Sequence, residues 1–94
     1  METTFKIGMT LPAVAYTDSA VQSAAVSLTT TKVRIWCSTD CFIKIGSNPT
    51  ASATDGMPMS GGLPEFFDIR PGERISMIRQ TVSGNGYITQ MSKN

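Results

Sequence analysis

The stretch KVRIWCSTDCFIKIG, residues 32–46, restricts the fold of this chain more than any other. Val33, Ile35 and Cys37 alternate with Lys32, Arg34 and Trp36, and Cys41, Ile43 and Ile45 alternate with Phe42 and Lys44. A period of two belongs to a strand, whose successive side chains point to opposite faces of a sheet. Two such runs separated by Ser38-Thr39-Asp40 read as a hairpin. Setting Cys37 against Cys41 places Ile35 opposite Ile43 and Val33 opposite Ile45, so one side is aliphatic and buried. The other side carries Trp36 against Phe42 and Arg34 against Lys44. Like charges placed opposite each other are unfavourable, so this second side faces water or a partner that supplies carboxylates.

The remaining segments extend the same pattern. In PEFFDIR, residues 64–70, Phe67 and Ile69 fall on one face and Phe66 and Asp68 on the other. Pro71-Gly72 then combines a fixed φ with a residue that accepts positive φ, a type II turn signal that reads as an arch between two sheets. Residues 73–82 form a further strand, with a bulge where Ile78 breaks the alternation. Gly84-Asn85-Gly86 folds it onto residues 87–92 as a closing hairpin. VQSAAVSL, residues 21–28, is a strand with Val26 and Leu28 facing inward. Phe5 and Ile7 alternate briefly before Pro12 interrupts, so residues 1–20 read as an extended arm that either frays or pairs with a neighbouring subunit. The stretch from Asn48 to Leu63 is a long loop rich in small residues, with room for a two- or three-residue strand near Ser52, and is either a mobile surface loop or a contact loop. No helical period persists for three turns. Ninety-four residues make one domain. The expected architecture is all-β: a small antiparallel β-sandwich, jelly-roll-like, over residues 21–94, with residues 1–20 as its arm.

Reactive chemistry is sparse. The chain has no histidine, which excludes Ser-His-Asp and Cys-His machinery. Cys37 and Cys41 read as two small buried hydrophobes, as a disulfide, or as half of a metal site lacking its other ligands. Alternation sends Glu65 and Asp68 to opposite faces of one strand, whereas a glycosidase pair must converge on one bond. Gly61-Gly62 precedes a strand and not a helix, so it forms no phosphate cradle. The expectation is a protein that is not an enzyme and holds no cofactor or metal.

Charged residues are 16% of the chain, against roughly 25% for an ordinary soluble domain. A net charge of +1 sets up no field that draws in DNA or an anionic membrane. Lys32, Arg34 and Lys44 beside Trp36 and Phe42 could still stack a single strand or a sugar. The same Trp and Arg serve equally as protein anchors, and Trp36 could simply pack inside the molecule. The surface, rich in Ser, Thr, Ala and Gly, suits a subunit packed against others. No run of apolar residues reaches membrane-spanning length, the N-terminus lacks a signal-peptide core, and Asn48 is followed by Pro49, which voids glycosylation there. Use without secretion is the expectation.

From Phe42–Gly46 through Thr50–Pro58, Gly62–Phe67, Pro71-Gly72 and Gly84–Met91, the chain resembles small virion proteins of tailed bacteriophages. The shared pattern is a strand ending in Phe/Ile-x-Gly, a Ser/Thr/Ala-rich loop with Asp-x-Met/Pro, a Gly-x-Pro-Glu strand, a Pro-Gly turn and a final hairpin. It covers about residues 26–92. The resemblance implies a sandwich or jelly-roll subunit on the capsid surface. Such a subunit is made in the host cytoplasm, forms dimers or trimers, and decorates or cements the head by binding the major capsid protein. A tail or neck accessory, or a glycan-binding module on the virion, is the alternative. No active-site residues carry over. The expected interface is the arm and the loop 47–63, with Phe5, Ile7, Met9, Met57 and Met59, together with Arg34, Trp36 and Phe42.

Overall fold

A computed structural model describes the backbone of residues 5–93 and the side chains of residues 7–91. Among the described residues there are nine strands and no helix. The strands are β1 (Phe5–Thr10), β2 (Val14–Tyr16), β3 (Val21–Gln22), β4 (Lys32–Cys37), β5 (Cys41–Gly46), β6 (Met57–Met59), β7 (Glu65–Asp68), β8 (Arg74–Arg79) and β9 (Gly84–Lys93). They form two antiparallel sheets. The A sheet runs β1-β9-β4-β7, with β2 also on β9, and the B sheet runs β3-β8-β5-β6. The sheets stack as a β-sandwich, and alternation along each strand supplies the layer between them. Val33, Ile35, Cys37 and Ile88 from the A sheet meet Cys41, Ile43, Ile75 and Met77 from the B sheet, and all are buried. Burying each large aliphatic side chain stabilises the fold by about 1.5–3 kcal/mol.

Two expected hairpins are absent because their strands lie in different sheets. β4 pairs with β9 and β7, while β5 pairs with β8 and β6. Ser38-Thr39-Asp40 is therefore an arch across the core. Cys37 and Cys41 still face inward, but Trp36 and Arg34 lie on the opposite side of the molecule from Phe42 and Lys44. β8 and β9 likewise do not pair with each other, so residues 80–83 form a second arch, and Val82 is exposed. Alternation is the same whether two strands pair side by side or stack across the core, and a three-residue link serves both. Pro71-Gly72 behaves as expected: Gly72 adopts φ +83°, the Glu73 amide donates to the Arg70 carbonyl at 3.1 Å, and the chain passes from β7 in one sheet to β8 in the other. Phe67 and Ile69 face inward and Phe66 and Asp68 outward, also as expected.

The expected bulge at Ile78 does not occur. β5 and β8 pair without a slip, and the irregularity lies in β1 between Ile7 and Thr10. The expected strand at 21–28 shrinks to Val21–Gln22, with Val26 inside and Leu28 outside at 82% exposure.

Of residues 1–20, expected to be an arm that frays or pairs with a neighbour, residues 1–4 lie outside the described residues, and 5–10 and 14–16 belong to this molecule's own A sheet. β1 pairs with the far end of β9 and β2 with its near end. The Leu11 amide donates to the Ile88 carbonyl at 2.8 Å between them. Pro12 sits where the ladder skips a bond, since it has no amide hydrogen. Leu11, Val14 and Tyr16 are buried in the core.

Candidate functional site

The two outer faces of the sandwich differ, and the difference locates the site. On the B sheet, Ser76 and Lys44 are neighbours across β8 and β5. The segment 47–56 folds back over them as a strap. The Ala51 amide donates to Ser76 Oγ at 2.9 Å, and Lys44 Nζ pairs with Asp55 Oδ2 at 2.7 Å. Gln22 Nε2 donates to Asn48 Oδ1 and to the Pro49 carbonyl, both at 2.8 Å. Bonded to Lys44 and Ser52, the Asp55 carboxyl is held below its ordinary range. A side chain at Gly56 would sit 2.6 Å from the Ser52 carbonyl and 2.8 Å from Phe42 Cβ, which is why glycine closes the strap. Ala51 and Ser76 are buried and Phe42 half-buried. This stretch of the loop covers its own domain.

Among the described residues, the A sheet carries no such cover. Its cross-strand registers place Trp36 opposite Tyr87, Arg34 between Thr89 and Phe66, and Lys32 between Met91 and Asp68. Ile7 lies opposite Met91, and Thr10 opposite Thr89, their hydroxyls 2.9 Å apart. The Trp36 and Tyr87 rings are 5.7 Å apart and tilted by 45°, a favourable aromatic geometry. Phe66 is 56% exposed, Tyr87 40% and Ile7 77%. Lys32 Nζ lies 3.0 Å from Asp68 Oδ1. Arg34 is half-buried and makes no hydrogen bond or ion pair with a described residue.

The edges of both sheets are poor templates for an added strand. β3 has two residues, β6 is three residues with Pro58 at its centre, β7 is four residues with acidic ends, and β1 is broken by its bulge. Short, charged, proline-bearing or bulged edges resist strand addition. A partner therefore meets a face.

Of the residues expected at an interface, Ile7, Arg34 and Trp36 come together on the A sheet. Met9 is 68% exposed on the bulged edge. Phe5 lies in β1, and its side chain is outside the described residues. Phe42 is on the opposite face, beside the strap. Met57 is exposed on the B-sheet edge, but Met59 is 1% exposed. Met59 is a core residue and not a contact: it pairs with Cys41 and faces inward. Tyr87 and Phe66 complete the A-sheet face; linking them to Arg34 and Trp36 needs the register of β4 with β7 and β9, which lies far apart in sequence.

Cys37 and Cys41 flank the first arch, both fully buried and both free thiols. Cys37 Sγ donates to the Ser60 carbonyl at 3.7 Å. Burial pushes both thiols up from their ordinary range, so they stay protonated and unreactive. Iodoacetamide should leave both untouched in the folded protein at mildly alkaline pH, and mass spectrometry should show double alkylation after denaturation. Rapid labelling of the native chain would contradict this burial. Among the described residues, no group of three His, Cys, Asp or Glu is placed to hold a metal ion.

No protein-family model, curated protein or solved structure matches this chain.

Proposed function

We propose that this chain is a non-enzymatic structural subunit of a tailed-bacteriophage particle that decorates and cements the head by binding the major capsid protein at capsomer joints. The observation that carries the reading is the asymmetry of the two faces. The B sheet is closed by its own strap, while on the A sheet Phe66 and Tyr87 are exposed and Trp36 and Arg34 half-buried, with no strap among the described residues. Tyr, Trp, Phe and Arg are the residue types enriched in protein interfaces. The resemblance over residues 26–92 supplies the particle.

Packaged DNA presses outward, so joints between capsomers carry load. A subunit lying across a joint adds its interface energy to the energy that keeps the joint closed. Such a part must hold its shape, and a sandwich whose contacts are mostly long-range in sequence does so. In this reading the subunit works on the capsid surface as a dimer or trimer, after synthesis in the host cytoplasm.

The test uses the purified chain and empty heads of the phage that encodes it. Wild type should bind heads and raise their melting temperature. Tyr87→Ala with Phe66→Ala should lower occupancy at least about tenfold, the effect of losing interface anchors, while the free chain melts within a few degrees of wild type. Absence of head binding defeats the reading. Binding to a glycan array without binding to heads would move it to sugar recognition on the virion.

A further inference from the structure

Arg34 stands at the middle of the open face, without a hydrogen-bond or ion-pair partner among the described residues. Thr89 and Phe66 flank it across the sheet, and Trp36 follows two residues along β4. Asp68, on the same face, is engaged with Lys32. Glu65 lies opposite the inward-facing Ile35, so alternation directs it away from Arg34. Asp55 belongs to the strap on the far sheet. A guanidinium is weakly hydrated, stacks on aromatic rings, and presents a planar fork of donors matched to a carboxylate.

We propose that the A-sheet face docks a protein segment that places an Asp or Glu carboxylate on the Arg34 guanidinium. Apolar side chains of that segment seat on the Trp36–Tyr87 pair to one side and on Phe66 to the other. The inference rests on the proposed function for the identity of the partner, and it names the chemistry that the capsid protein must present.

Two other occupants fit less well. A second copy stacked on this face would bring only Asp68 as a described carboxylate, and that group already holds Lys32. A single-stranded nucleic acid needs a track of cations beside its stacking rings. Here Lys44 lies on the other sheet, bound to Asp55, and Lys32 is paired on this one.

The experiment compares wild type, Arg34→Gln and Arg34→Lys on two probes, an array of short random peptides and empty heads of the encoding phage. Wild type should select peptides with Asp or Glu beside aromatic or aliphatic residues. Arg34→Gln should lose at least about tenfold in binding to both probes, as for a buried interface arginine. Arg34→Lys should keep part of it, since charge remains and the fork is lost. Melting temperatures of all three should agree within a few degrees, because Arg34 bonds no described residue of the free chain.

Undiminished binding by Arg34→Gln overturns the inference even where heads are bound, and the cementing role then stands alone. Carboxylate-dependent peptide binding without head binding upholds the inference and removes the capsid as partner. Selected peptides lacking carboxylates, or no binding by wild type to either probe, overturn it. Binding to an oligothymidylate that is lost in Arg34→Gln, with no peptide selected, overturns it in favour of nucleic acid.

Discussion

Tyr16→Ala should bring this domain close to the limit of folding at room temperature, and Tyr16→Phe should lower its stability by a smaller, measurable step. Tyr16 is fully buried at the end of β2. Its hydroxyl donates to the Thr39 carbonyl at 2.7 Å and accepts from the Thr39 amide at 3.0 Å. Thr39 Oγ1 in turn donates to the Val82 carbonyl at 2.9 Å. Ser38 and Asn85 exchange bonds beside this, with the Ser38 amide on the Asn85 carbonyl at 3.0 Å and the Asn85 amide on Ser38 Oγ at 2.9 Å. The phenol therefore fixes the first arch, 38–40, and Thr39 ties that arch to the second, 80–83, where the chain passes between sheets.

Removing the hydroxyl leaves both Thr39 backbone groups without that partner, worth about 1–3 kcal/mol. Removing the ring as well opens a cavity, and such aromatic truncations cost about 3–5 kcal/mol. A domain has roughly 5–15 kcal/mol in total, and near this size 1 kcal/mol shifts Tm by about 4–8 °C. Urea and thermal melts of both variants measure the two steps. A Phe variant indistinguishable from wild type would mean that the hydroxyl does not hold the first arch.

The arches also explain how far the sequence could be read. Strand identity in 32–46 is legible because both strands have one wet and one dry side. Pairing is not legible there, because β4 finds its partners in β7 and β9 and β5 in β6 and β8, all distant in sequence, and the arch between them is bonded by Tyr16, 23 residues away from Thr39. Pro71-Gly72 is legible as an arch because positive φ at Gly72 is a local demand. The strap over the B sheet is hidden for the opposite reason: its anchors, Ser76 and Gln22, are distant polar residues that no periodicity marks. Met57 and Met59 have identical spacing signals, yet one is exposed and the other buried, since they sit at different depths along a three-residue edge strand. Pro12 reads locally as a stop, whereas β9 is long enough to carry β1 and β2 end to end. The candidate face follows the same rule. Arg34 and Trp36 stand out within one strand, but their neighbours Tyr87 and Phe66 come from registers set by the whole fold.

That dependence on β9 makes Gln90 the second position of large effect. It lies opposite Val33, faces inward and is 4% exposed. Its Oε1 accepts from the Ser27 amide at 2.7 Å and from the Thr30 hydroxyl at 2.9 Å. Its Nε2 donates to the Met9 carbonyl at 3.2 Å, at the β1 bulge. One amide therefore fastens the turn before β4 and the irregular part of β1 to the central strand.

Gln90→Leu keeps the volume and removes all three bonds. Leaving these groups unpaired should cost about 2–4 kcal/mol. A cycle with Thr30→Val separates the bond from general packing: the valine change should be costly in wild type and nearly neutral beside Gln90→Leu. Hydrogen exchange should show where the loss falls. The amides of β1 and of residues 27–30 should exchange faster than the global unfolding of the variant accounts for, while the β5–β8 ladder should follow global stability. Uniform acceleration across both sheets would mean that Gln90 acts only as core filling. Local release of β1 has a further consequence, because the bulge it holds is what keeps that edge from acting as a strand template. The variant should therefore self-associate with rising concentration under native conditions, which light scattering can follow, whereas the Tyr16→Phe chain should not.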